Sequence, residues 1–327
     1  MDEKEKDTLM SGINAVVLAG GRGTRLSPLT DTIPKPLAPI AGRSAFERIL
    51  DLLADNGITH AAVTTGYMAQ KLKSVTHPRV KLTFFEEKAP LGTAGAVKNA
   101  QSALKDTFLV ISGDALCDFD LRDAVLRHAA SGAKLTVLLT RSADVTEYGT
   151  VTLDSDGFIK RFVEKPPLSK AVSDLVNSGI YIMDKSVLEL IGDGEVCDFS
   201  KDLFPRVMKT QRINAVVCEG YWCDIGDLFA YYRCNEDAYS GKIKMSGRRS
   251  AAGKNLRVGK GAKLIGSIIH DDVSIGEGSV VCRSILCDGA QIGTDCRIGS
   301  GSIVGAGAHI SDGVSLGRSS RIKPGAH

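Results

Sequence analysis

Three glycines, two arginines and a lysine crowd into Leu18 to Leu37, LAGGRGTRLSPLTDTIPKPL, and their types suit a polyphosphate. Glycines 20, 21 and 23 carry no side chain where backbone N–H groups would approach phosphate oxygens, and concave turns of this kind bind anions through fixed dipoles. Arg25 and Lys35 add mobile positive charge. Lys35 stands between Pro34 and Pro36, and prolines on both sides disfavour helix and fix φ, so a stiff extended segment is expected to present the ammonium. No Gly-Lys-Ser/Thr closes the run and the third glycine of a dinucleotide fingerprint is missing, which disfavours an ATPase or a dehydrogenase. A Gly-Gly-x-Gly turn taken alone stays open between an anion cradle and a tight strand-to-helix connection.

Asp114 ends the apolar run FLVISGD, which places a carboxylate at the carboxyl edge of a sheet, where open α/β sheets bind ligands. Asp224 is its candidate partner, although it could instead cap the helix that starts near Asp227. No linked Ser/His/Asp or Cys/His set accompanies them. The elements that must position these groups are legible. Ile13 to Leu18 is short, apolar and β-branched, as a buried parallel strand should be. Ser44 and Glu47 have capping-box spacing, and Phe46, Ile49, Leu50 and Leu53 give one apolar face before Gly57 stops the helix. Strand-like runs at 61–65, 80–85, 108–112 and 135–139 alternate with helical segments near 94–104 and 120–130, an α/β sandwich. Less regular strands at 158–163, 178–183 and 213–218 argue for a mixed rather than a purely parallel sheet.

At 327 residues the chain exceeds one typical core, so two domains are expected. A net charge of +3 with 24% charged residues gives no reason to make nucleic acid or membrane the main partner. Eight cysteines without C-x-x-C or zinc spacing, and no secretory leader or long apolar span, point to a reduced, cytoplasmic setting. Residues 1–12 are charged and aperiodic, a disordered extension by composition; 13–240 form the first domain, 241–253 a linker, and 254–327 the second domain.

That second domain is an internal repeat. Ile292, Ile298, Val304, Ile310, Leu316 and Ile322 fall at six-residue intervals. Ile269, Ile275, Val281 and Cys287 keep the period, with a one-residue slip before Ile292, and Val258 with Leu264 make a first pair. The pattern resembles the hexapeptide repeat of left-handed parallel β-helices. Each face offers a single inward residue per turn, so several coils must stack to bury anything. His270 and His309 read as outward, solvated side chains, and cysteines 218, 223, 282, 287 and 296 as small fillers. The last coil stops at Lys323-Pro324-Gly325 without a polar cap, as if more chain could follow.

LAGGRGTRLSPLT followed by PKPL resembles the signature of the sugar nucleotidyltransferases, and six further blocks follow in that family's order: LGTAGA (91–96), SGDAL (112–116), EYGT (147–150), VEKP (163–166), NSGIY (177–181) and WCDIG (222–226). The resemblance covers about residues 13 to 240. It implies a Rossmann-like α/β nucleotidyltransferase domain with a mixed sheet, followed by the β-helix, and the joining of a nucleoside triphosphate to a sugar 1-phosphate with loss of pyrophosphate. By resemblance, Asp114 and Asp224 hold Mg²⁺, and Arg25 and Lys35 grip the triphosphate. Leu18, Ala19, Gly20, Gly21, Gly23, Thr24, Glu87, Gly92 and Thr93 match the nucleotide site, with Glu87 in the base-reading position. Lys165 matches the lysine that contacts the sugar phosphate, and Glu164, Gly149, Asn177 and Gly179 match the sugar pocket. A carboxylate at Glu87 accepts but does not donate, which favours guanine, whose Watson–Crick edge presents adjacent N–H donors. The LGTAG form and the appended β-helix resemble mannose-1-phosphate guanylyltransferases, while uridylyl-, thymidylyl- and adenylyltransferases share many of these blocks. A regulatory paralogue without catalysis and a bifunctional acyltransferase are the other readings. The β-helix itself is expected to serve homo-oligomerisation, because stacked flat coils expose edges that a neighbour can cover.

Overall fold

The apolar periodicities become elements close to where they were read. In a computed structural model that describes residues 3–245, 250 and 252–327, the chain starts with helix α1 (Glu3–Ser11) and strand β1 (Asn14–Ala19), then the short strands β2 (Pro39–Ile40) and β3 (Arg43–Ser44). There follow α2 (Ala45–Asp55), β4 (His60–Thr65), α3 (Ala69–Lys73), β5 (Lys81–Glu86), α4 (Gly92–Asn99), β6 (Thr107–Ser112), β7 (Ala115–Cys117), α5 (Leu121–Ser131) and β8 (Leu135–Arg141). Then come β9 (Thr150–Leu153), β10 (Ile159–Val163), β11 (Leu175–Asp184), α6 (Phe204–Val207), β12 (Asn214–Val217), β13 (Trp222–Asp224) and α7 (Leu228–Ser240). The chain divides into two compact units that are not simply successive: Met1–Gly21 with Glu47–Asp224, and Arg22–Phe46 with Ile225–His327.

The first unit is built on a nine-stranded sheet. Strands β5, β4, β1 and β6 run parallel. β11 then pairs antiparallel with both β6 and β8, and β12 adds parallel to β8. The hairpin β9–β10 joins the first half of β11 through Thr150 and Val176. The sheet is therefore mixed, as the uneven strand spacing implied. Its β-branched and aromatic residues make the core, with Val16, Phe108, Val110, Val137 and Met183 fully buried. Residues 1–12, expected to be a disordered extension, are instead helical from Glu3 to Ser11. Arg122 on α5 pairs with Glu3 at 3.0 Å and Asp7 at 2.7 Å, and Met10 is buried, contacts that a compositional reading of a charged segment does not see.

In the second unit the repeat folds as twelve short strands: β14 (Arg257–Val258), β15 (Lys263–Ile265), β16 (Ile268–Ile269), β17 (Ser274–Ile275), β18 (Val280–Cys282), β19 (Ile285–Leu286), β20 (Gln291–Ile292), β21 (Arg297–Ile298), β22 (Ile303–Val304), β23 (His309–Ile310), β24 (Ser315–Leu316) and β25 (Arg321–Ile322). They stack as three parallel four-stranded sheets, β14-β17-β20-β23, β15-β18-β21-β24 and β16-β19-β22-β25, the three faces of a β-helix. Ile275, Val281, Ile292, Ile298, Val304 and Ile310 fill its interior. The slip in the repeat sits elsewhere than the sequence suggested. Leu286, not Cys287, pairs with Ile269 and Val304 and joins the interior, so the missing residue falls between Val281 and Leu286. Leucine and cysteine are both apolar there, and periodicity alone does not choose between them.

His270 also departs from expectation. It is not a solvated outward group but 3% exposed, because Tyr231 of α7 lies against it with Oη 2.9 Å from Nε2. His309 is exposed as expected. Of the expected linker 241–253, residues 246–249 and 251 lie outside the described residues, and Ile243 is buried. Among the described residues no helix is long and apolar enough to cross a membrane.

The interior row makes a direct test. Ile298 is 2% exposed in the middle of its stack, so Ile298→Ala should cost about 2–5 kcal/mol by urea unfolding, while its outward neighbour Arg297→Ala should stay within about 0.5 kcal/mol of wild type.

Candidate active site

Parallel strands present their carboxyl ends to one edge of the sheet, and the first unit gathers its candidate groups there. The residues that follow β1, β4, β5 and β6 are Gly20, Gly66, Glu87 and Gly113-Asp114. Leu18 and Ala19 close β1, and the Leu18 carbonyl accepts the Gly113 N–H at 2.8 Å, tying the glycine turn to the aspartate turn. At Gly20 a Cβ would stand 2.7 Å from Glu87 Oε1, so a side chain there would displace that carboxylate. Gly21 is exposed beside it.

The Glu87 carboxylate is half-buried and accepts the Leu91 N–H at 3.0 Å, bracing the loop that leads into α4. Burial raises its pKa above the ordinary carboxylate range, partly offset by that N–H. The LGTAGA block is itself held from outside. Cys197 O accepts from Ala94 N (2.8 Å) and Gly95 N (3.0 Å), and the Thr93 hydroxyl donates to Asp198 at 3.1 Å while accepting the Phe199 N–H at 3.0 Å. Thr93 is thus engaged with the 197–199 segment, and Gly92 precedes it with φ at 72°.

Asp114 and Asp224 are brought together by strand pairing. β7 and β13 run antiparallel with Asp224 opposite Ala115, the residue after Asp114. The Ser112 hydroxyl donates to Asp114 Oδ1, which fixes that carboxylate as an acceptor. Two carboxylates are the hard oxygen donors that suit Mg²⁺, and among the described residues no cluster of three or more metal-binding side chains supplements them. The donor set fits an ion that completes its coordination with phosphate oxygens and water.

The candidate sugar residues form one neighbourhood. Gly149 admits the Phe162 ring and Glu164, whose Oε2 lies 2.9 Å from where a Cβ would be, and its carbonyl accepts the Asn177 N–H at 2.8 Å. Between Asn177 and Ile180 the register of β11 on β8 shifts, a bulge in which Gly179 takes φ of 76°. Asn177 Oδ1 accepts the Gly179 N–H at 3.0 Å and its amide donates to Tyr181 Oη at 3.0 Å, so its orientation is fixed. Lys165, two residues past the end of β10, is exposed and holds a left-handed φ of 39°, an unusual conformation for a side-chain-bearing residue. Trp222 Nε1 donates to Ser178 O at 3.0 Å and its ring meets Tyr148 edge-on at 4.9 Å, which hooks β13, and with it Asp224, onto the bulge.

Gly23, Thr24, Arg25 and Lys35 belong to the second unit. Thr24–Leu26 is a 3₁₀ turn entered through Gly23 at φ 65°, leaving Arg25 exposed. Lys35 does not lie in an extended segment, as its flanking prolines suggested: Lys35–Leu37 is a second 3₁₀ turn entered from extended Pro34. Proline is tolerated in a first helical turn because its missing N–H has no partner there. A Cβ on Gly23 would lie 3.0 Å from Lys35 Cβ, so the two turns come close there, and the Thr30 hydroxyl, from the intervening 3₁₀ turn Leu29–Asp31, donates to Gly23 O at 2.8 Å.

Residues 14–241 match the nucleotidyl transferase family, and residues 235–324 match the GMPPB C-terminal domain. The mannose-1-phosphate guanylyltransferase catalytic subunit beta of Drosophila pseudoobscura pseudoobscura is 34% identical over 286 residues, covering 84% of this chain and 73% of its own. The UTP–glucose-1-phosphate uridylyltransferase of Synechocystis is 32% identical over 333 residues, covering 88% and 86%. Among solved structures, HddC from Yersinia pseudotuberculosis complexed with GMP-PN is 31% identical, with a TM-score of 0.59 over 69% of this chain and 99% of that one.

Sequence reasoning missed the supports: Ser112 on Asp114, Asp198 on Thr93, and Tyr148 with Ser178 on Trp222. Only Trp222, the single tryptophan beside a candidate aspartate, carried a signal. The raised pKa of Glu87 has a measurable sign. Its burial penalty is absent below the unfolded carboxylate pKa of about 4.3 and is fully felt once pH exceeds the folded value. Glu87→Gln, which keeps an acceptor for Leu91 N–H, should therefore gain stability relative to wild type at pH 7 and lose that gain toward pH 4, read by urea unfolding at both.

Proposed function

Because the chain belongs to the nucleotidyl transferase family, we propose that it transfers a nucleotidyl group from GTP to mannose 1-phosphate, giving GDP-mannose and pyrophosphate. The observation that carries this reading is the β7–β13 pairing, which sets Asp224 beside Asp114 while Trp222 ties the same strand to the bulge at Asn177–Gly179. One strand thereby links the candidate ion site to the candidate sugar pocket.

The sugar phosphate oxygen attacks the α-phosphorus in line and pyrophosphate leaves. A phosphate monoester has its second pKa near ~6, so the attacking oxygen is already largely ionised and neither a covalent nucleophile nor a general base is needed. Repulsion between two anions is the main barrier, and neutralising charge and fixing position are the protein's tasks. Arg25 offers a planar fork of donors and Lys35 a point charge to the triphosphate. Lys165 holds the sugar phosphate, Glu164 accepts from sugar hydroxyls, and Asn177 adds an amide whose orientation Tyr181 and Gly179 fix. Asp114 and Asp224 would hold Mg²⁺, which when bound supplies Lewis-acid stabilisation of phosphate charge. The preference for guanine rests on Glu87, an acceptor at the edge of the glycine turn, and on the guanylyltransferases among the relatives. A cytoplasmic setting suits the eight free thiols, and self-association suits the β-helix.

The test is pyrophosphate release with Mg²⁺, each common nucleoside triphosphate and a panel of hexose 1-phosphates. GTP with mannose 1-phosphate should be the best pair, and another best pair overturns the specificity but not the reaction class. Asp114→Asn should lower turnover by on the order of 10²-fold or more with unchanged Tm, and undiminished turnover refutes its role at the ion.

A further inference from the structure

The phosphate-signature segment Arg22–Phe46 falls in the same compact unit as α7 and the β-helix, and a short chain of buried hydrogen bonds runs through all three. His270 sits in the coil with its backbone N–H on Leu286 O at 2.9 Å. Its side chain is 1% exposed, and Nε2 lies 2.9 Å from the hydroxyl of Tyr231, which is fully buried on α7. That hydroxyl is 2.7 Å from the Pro39 carbonyl, which has no proton to give, so tyrosine donates to Pro39 and accepts from His270 Nε2–H. Asn235, one helical turn on, completes the grip: its Oδ1 accepts the Ala41 N–H at 3.0 Å and its amide donates to Pro39 O at 3.3 Å. Ala41 is held at a left-handed φ of 49°, a conformation an alanine keeps only when its surroundings impose it.

The far end of this grip is Lys35. Ala38 N–H donates to Lys35 O at 3.0 Å, Ala45 N–H donates to Ala38 O at 3.0 Å, and β2 pairs with β3, so the stretch from Lys35 to Ala45 is one internally bonded piece. The ground beneath α7 is made for it. On the first face of the β-helix the outward row is polar, Arg257, Ser274, Gln291 and His309, and on the second it is Lys263, Val280, Arg297 and Ser315. On the third it is Ile268, Ile285 and Ile303, all buried, with residues of that face and of α7 lining the same clefts. Arg321 in the last coil adds a second tether, donating to Ser27 O at 3.2 Å.

We propose that Tyr231 and His270 are positioning residues for nucleotidyl transfer: the β-helix, through α7, fixes the Pro39–Ala41 hairpin and so the place of Lys35. The β-helix is then part of the phosphate-binding apparatus and not solely an assembly surface. This rests on the reading of Lys35 as a triphosphate ligand.

The test uses the full chain and two independent readouts. Hydrogen exchange should rise in peptides spanning 34–46 for Tyr231→Phe and His270→Leu, with the coils from 274 to 322 still protected, and should stay near wild type for His270→Gln, whose amide can replace Nε2–H. In pyrophosphate release, Tyr231→Phe should lose about 10-fold in kcat/KM, chiefly through kcat, since small misplacements of a charged group cost that much or more. In a Lys35→Ala background the same change should cost almost nothing further. Unchanged exchange at 34–46, or raised exchange with unchanged kinetics, overturns the proposal. So does a loss that multiplies fully with that of Lys35→Ala. A wild-type chain that releases no pyrophosphate from any substrate pair overturns the proposed reaction, and the positioning of Lys35 for it falls too, while the exchange result still decides whether the anchoring exists.

Discussion

Three residue pairs between β7 and β13 make neighbours of carboxylates 110 positions apart in the sequence. Contacts around this pairing hold it in place. Ser112 holds one carboxylate in place, Trp222 pins the other strand to the bulge of β11, and the bulge turns Asn177 and Gly179 toward the same region as Gly149 and Glu164. If β13 were free to slide by one residue, each of its side chains would exchange faces and Asp224 would leave Asp114.

The two units solve the burial problem differently. The mixed sheet buries long apolar strands beneath helices, so its core is many side chains deep. The β-helix gives each strand one inward residue, and its stability is the sum of stacked, nearly identical layers. The isoleucine row of its third face is where this chain leans α7 and, through it, the signature segment.

Strong periodicity was legible, and what covers it was not. The β1 strand, the α2 helix with its apolar face and the six-residue repeat follow from spacing that only one element type satisfies. Asp114 and the glycine turn could be placed at the carboxyl edge because strand ends are readable. The burial of His270 is not legible, because a repeat tells which residues enter the coil and says nothing of a helix laid across its outside. The position of the slip is ambiguous in the sequence because two adjacent apolar residues, Leu286 and Cys287, both fit the period. The turn at Lys35 escapes the sequence because proline rules describe α-helix better than a single 3₁₀ turn. The supports of the site, Asp198 and Ser112 among them, depend on contacts between distant segments and leave no local trace.

The uneven coils carry a consequence for how this half of the chain can vary. Register partners on the first face lie seventeen residues apart from Val258 to Ile275 and again to Ile292, then eighteen to Ile310, so a corner can be trimmed without losing the stack. Insertion of a lone hexad is another matter, for it would rotate all later layers by one face and carry Arg321 away from Ser27. Length here is quantised: natural or engineered variants of this domain can grow or shrink by entire turns, and the wall against which the helix rests survives only in those increments.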